Sequence, residues 1–180
     1  MKKTMLALLF LLLALPALSH GPEGHQGVPQ ELLKKLFPQA DSFVTKTLEL
    51  EGATRKSIES RLGARLEDHD LEAPAYVATV QGRSVGLAWM TDAHLKAGEV
   101  DVLVGLGLDG KVVGVVLDRS PIASLAQPSY LKQYQGLTAA SAFTIGKDLT
   151  AVSGKEEASK RVAGAVRKGV VVLTVAVLKR

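Results

Sequence analysis

Between Val100 and Leu117 the chain alternates in hydropathy on both sides of Asp109-Gly110. Val100, Val102, Val104, Leu106 and Leu108 alternate with Asp101, Leu103, Gly105 and Gly107, and Lys111-Val-Val-Gly-Val-Val-Leu117 follows the turn. A two-residue period is that of a β-strand, and Asp-Gly accepts the left-handed backbone of a tight hairpin turn. The spacing therefore predicts an antiparallel hairpin, and any fold for this chain must bury its apolar face. A second hairpin is expected just upstream, with Tyr76-Val-Ala-Thr-Val80 and Ser84-Val-Gly-Leu-Ala-Trp89 flanking Gln81-Gly82-Arg83.

Around this sheet the sequence places helices. Leu32, Leu33, Leu36 and Phe37 share one helical face between Pro29 and Phe37, and Pro38 closes that helix. The threonine-rich stretch from Phe43 to Leu50 reads as a strand. Thr54 is expected to cap a short helix with Ile58 and Leu62 inward and Gly63 at its end. Pro128 to Tyr134 can form a short helix with proline in its first turn, and Ala142-Phe-Thr-Ile145 is a short strand candidate. Ser153 with Glu156 three residues later has the form of a capping box, so a helix is expected to begin there. Ala158, Val162, Ala165 and Val166 continue it at helical spacing and Gly169 is expected to end it. Val170 to Leu178, dense in β-branched residues, reads as a buried final strand. The fold class expected is α+β, an antiparallel β-sheet with helices packed on it.

A chain of 180 residues has room for one domain with a sizeable core. Met1-Lys-Lys-Thr, an apolar run from Met5 to Leu18 and the small residues Ala17 and Ser19 look like a secretory signal peptide over residues 1–19, cleaved before His20. That run is short of the roughly twenty residues a spanning helix needs. Residues 20–70 then form a leader, helix and strand region, and residues 71–180 the main domain. The chain contains no cysteine, which excludes disulfides, thiolate-bound metals and iron–sulfur clusters. The formal charge of +4 includes Lys2 and Lys3, so the exported chain is only mildly basic, and no basic tract interleaved with aromatics points to nucleic acid.

Few residues announce chemistry. There is no Gly-x-Ser-x-Gly, Walker loop or dinucleotide fingerprint, and no catalytic residue is assigned. Trp89 reads as a half-buried strand residue. His69 and His94 have no neighbour at metal-ligand or triad spacing and read as solvated, so no metal site is assigned to them. His20, exposed at a new N-terminus, could with His25 hold a copper or zinc ion. The Ser153-Gly154 loop admits two readings. It can cap an ordinary amphipathic helix, or its free amides and the positive end of the helix dipole can receive a phosphate.

The segment order resembles the FMN-binding domain family, which includes the small exported subunits of the Rnf complex and of the sodium-pumping NADH:quinone oxidoreductase. The resemblance rests on the Asp-Gly hairpin, on Tyr130-Leu-Lys-Gln-Tyr134-x-Gly136, and on Gly146-Lys-Asp-Leu-x-x-Val-Ser153-Gly154 leading into a helix. It covers roughly Leu71 to Lys168, and Leu36-Phe-Pro-Gln-Ala-Asp41 also looks like the lead-in of some members. The resemblance implies a flavin mononucleotide (FMN) near Tyr134, Thr150, Ser153, Gly154, Lys155 and Ser159. The family's loop carries a threonine that can be esterified to the FMN phosphate. The aligned position here is Ala158, with Lys155 and Glu156 standing where the family has alanine and threonine, Thr150 at its aspartate, and Arg119-Ser-Pro-Ile-Ala123 where a His-x-Glu-Thr-like segment is usual.

The family likeness also implies an exported domain in electron transfer, periplasmic or on the outer face of the inner membrane, with FMN held non-covalently if at all. Its partners would be a membrane redox complex or other electron-transfer proteins. A flavin-free binding or assembly module for such a complex is the alternative, and metal capture by His20 and His25 a third.

Overall fold

The structure is a computed structural model that describes residues 27–179; the signal-like segment, His20 and His25 lie outside the described residues. Among the described residues, five strands form one antiparallel sheet, each hydrogen-bonded to the next in chain order: β1 (Ser42–Lys46), β2 (Ala75–Val80), β3 (Arg83–Leu95), β4 (Gly98–Gly107) and β5 (Val112–Asp118). Five α-helices accompany them there: α1 (Gln30–Leu36), α2 (Gly52–Leu62), α3 (Asp68–Glu72), α4 (Pro128–Leu131) and α5 (Glu156–Val172). The protein is thus α+β, with helices on an antiparallel meander, and its first strand comes from the stretch before residue 71.

The turns follow local chemistry. Gln81 and Gly82, both with positive φ, make the two-residue link between β2 and β3. In the β4–β5 hairpin Gly110 (φ 86) takes the left-handed position, and its N–H reaches Gly107 O at 2.9 Å while Gly107 N–H meets Lys111 O at 2.8 Å. The Asp-Gly pair thus closes a three-residue loop over 108–110. β3 runs beyond Trp89 to Leu95 and turns at Lys96-Ala97 into β4, a hairpin not anticipated from the sequence.

One face of the sheet carries Leu87, Trp89, Val102, Val104 and Leu106, on which α5 lays Val162, Val166 and Val170. Trp89 is fully buried rather than half-buried, and its indole N–H donates to Ala73 O at 3.2 Å. Gly169 does not end α5. The helix continues through it to Val172 and finishes in a π-helical turn, Leu173–Val177, so the strand expected over 170–178 is absent. Helix propensity penalises each valine by at most about 0.7 kcal/mol. Burying its side chain returns roughly 1.5–3 kcal/mol, and Val170, Val171, Val172 and Leu173 are all at most 1% exposed. Gly169 serves close approach instead: a Cβ there would lie 2.8 Å from Val104 Cγ2.

The opposite face receives α1, whose Leu32, Leu33 and Leu36 join Phe37 against Tyr76, Ala78, Ala88 and Leu103. Gly86, Gly105 and Gly114 leave room for it; a Cβ on Gly86 would meet the Phe37 ring at 2.2 Å. Three local expectations are corrected. β1 spans only five residues, because Leu48 and Leu50 are buried outside the ladder. Thr54 lies inside α2, which starts at Gly52, although Gly63 (φ 68) does close it. Ala142–Ile145 is no strand: Phe143 takes φ 54, and Ile145 makes a single bridge to Leu149.

Candidate functional site

The turn before α5 is built by Gly154, whose left-handed backbone (φ 67) lets Lys155 N–H reach Val152 O at 2.9 Å. The helix therefore starts at Glu156, two residues later than the capping-box reading places it, and Ser153 is not its cap. Two other side chains satisfy this region. Glu156 Oε1 accepts from the Gly154 N–H at 3.0 Å, and Ser159 Oγ accepts from the Val152 N–H at 3.0 Å. Glu156 also accepts from its own N–H. That bond and the one from Gly154 hold its carboxyl below the ordinary carboxylate value.

The six residues implied in FMN binding do not converge. Gly154 and Lys155 line a cleft of about 360 Å³ at the start of α5, together with His94, Leu95, Ile122 and Arg161. Thr150 and Ser153 are exposed but outside that lining; the Thr150 backbone is clamped to Gln133, its N–H donating to Oε1 at 2.7 Å. Ser159 is fully buried with its hydroxyl turned to the backbone. Tyr134 is fully buried too, its hydroxyl 3.1 Å from that of Tyr130 and the two rings edge to face. Burial, then the neighbouring Tyr130, pushes the Tyr134 hydroxyl well above its usual pKa, so it stays protonated.

These groups do not fit a phosphate-anchored flavin. The amides of Gly154 and Glu156 are engaged by a carboxylate of the chain itself, Ala158 offers only a methyl group, and the nearest hydroxyl, Ser159, faces inward. A phosphate about 5 Å from the Glu156 carboxylate would meet repulsion of roughly 1–3 kcal/mol between water-like and surface-like dielectrics. Lys155 and Arg161 offset a part of that, and Glu157 adds to it.

A second constellation lies where α3, β3 and α5 meet, and it overturns the reading of His69 and His94 as isolated. Asp92 binds both: His69 Nε2 lies 2.8 Å from Oδ1 and His94 Nε2 lies 3.2 Å from Oδ2. Beside them Asp70, 1% exposed, accepts from Lys168 Nζ at 2.9 and 3.1 Å, from the Glu67 N–H at 3.0 Å and from Thr91 Oγ1 at 3.4 Å. The sequence signal is the Asp92-x-His94 spacing, which puts both side chains on one side of a strand. No protein-family model matches the chain, and no curated protein matches it either.

Proposed function

We propose that this chain is an exported FMN-binding-like domain that has given up its flavin and acts as a binding or assembly module beside a membrane redox complex. The observation that carries the reading is Glu156, whose carboxylate occupies the amides at the start of α5 where a cofactor phosphate would rest. Ala158 in the acceptor position and the inward Ser159 hydroxyl support it.

The reading is tested by adding FMN to the purified exported protein while following flavin fluorescence, and by fractionating solubilised membranes that contain the tagged chain. It expects unquenched flavin and co-elution with a quinone- or nicotinamide-linked redox activity. Saturable quenching at one flavin per chain would restore the electron-carrier role.

A further inference from the structure

We propose that Asp92, His94 and Glu99 form a surface site for a divalent metal ion of the zinc type, with His69 as the residue that positions Asp92. The β3–β4 register sets His94 directly opposite Glu99, and Asp92 lies two residues from His94 on the same strand. Residues two apart share a face, and cross-strand partners hold their Cβ atoms about 4.5–5.5 Å apart. One donor atom from each of the three lies within 4.8 Å of the others. His94 Nε2 and Asp92 Oδ2 are already 3.2 Å apart. Two donors bound to one tetrahedral zinc at roughly 2.0–2.2 Å stand about 3.3 Å from each other. Glu99 Oε2, 3.9 Å from the other imidazole nitrogen, belongs to a side chain 58% exposed that can swing to close the set.

The surroundings hold one ligand still and leave the others adaptable. Asp92 is only 11% exposed, and its second oxygen is fixed by His69 Nε2 at 2.8 Å with Lys168 Nζ 4.0 Å away. Oδ2 is thereby aimed at His94, which is 63% exposed. Carboxylate ligands in metal sites are themselves held by hydrogen bonds of this kind from outer-shell partners. Lys168 takes up Asp70 on the inner side, and Arg119 takes up Asp101, the cross-strand partner of Asp92. Neither carboxylate competes for the ion. One imidazole and two carboxylates suit zinc, cobalt or manganese rather than soft copper(I), and they leave coordination positions open to water.

The test uses the full exported chain carrying His20→Ala and His25→Ala, which removes the only other two of its four histidines besides His69 and His94. Zn²⁺ is titrated calorimetrically, and Co²⁺ is followed by its visible absorption. One ion per chain is expected. His94→Ala should weaken binding at least tenfold, and Glu99→Gln, on an exposed side chain, should weaken it with the fold intact by circular dichroism. His69→Ala should weaken binding about 10–100-fold, the usual effect of losing an outer-shell partner, while preserving the shape of the Co²⁺ spectrum because the ligands are unchanged. A protein that binds no zinc in the His20→Ala, His25→Ala background, or one whose affinity survives His94→Ala, overturns the proposal.

Discussion

Glu156 decides what the start of α5 can hold. Its carboxyl is depressed by the hydrogen bonds from its own N–H and from Gly154. A group whose pKa is lower in the folded chain contributes stability above its ordinary value, near pH 4.3 for glutamate, and that contribution is lost as pH falls through the depressed value. Glu156→Gln should therefore flatten the fall in urea midpoint between about pH 5 and pH 3. Glu59, lowered by Arg55 and by the Leu66 N–H, should preserve some acid sensitivity. A profile unchanged by the substitution would mean the carboxylate is not engaged. At Gly169, a new Cβ would press on Val104 at 2.8 Å. Gly169→Ala should accordingly cost about 1–3 kcal/mol by overpacking, despite alanine's better helix propensity, and chemical denaturation reads the sign.

At the scale of elements, two contacts fix how the helices sit on the sheet. The first is the seat of α1: a Cβ at Gly86 would fall 2.2 Å from Phe37 Cε1 and 3.0 Å from the backbone oxygen of Leu106. Gly86→Ala should destabilise by about 1–3 kcal/mol, and adding Phe37→Leu should recover a part of that in a double-mutant comparison of denaturant midpoints. The second is the tie from α5 to α3 through Lys168 and Asp70. Lys168→Met leaves a buried carboxylate without its cation and should cost roughly 3–5 kcal/mol; pairing it with Asp70→Asn should lessen the loss. Equal midpoints for single and double variants would show that the ion pair does not couple the two helices. The hairpins around Gln81-Gly82 and Asp109-Gly110 are legible in the sequence because period and turn chemistry are local. The turn at Lys96-Ala97 is not, since neither residue demands a left-handed backbone. Val170–Val177 misleads because β-branched composition says nothing of the sheet that α5 packs on. The Asp92 cluster is hidden for a related reason. His69 lies 23 residues from Asp92, and Lys168 lies 98 from Asp70, so only tertiary packing brings them together. In the candidate site, Gly154 and Lys155 are recognisable as loop residues, and both face the cleft. The inward turn of Ser159 and Tyr134 is not, because it depends on where α5 starts and on which faces the sheet covers.

At the scale of the whole molecule, the described residues form a five-strand meander with α1 on one face and α5 on the other. Its cleft lies at the N-terminal end of α5, away from the seat of α1. In the proposed function, a side chain of the protein has replaced the cofactor's anionic group at that end. Intact mass and visible absorbance of the purified protein, produced in a host that carries a flavin transferase, test this most directly. The mass of the polypeptide alone, with no flavin band, is the predicted result. A mass increased by one flavin mononucleotide, or a stoichiometric flavin spectrum, would contradict it.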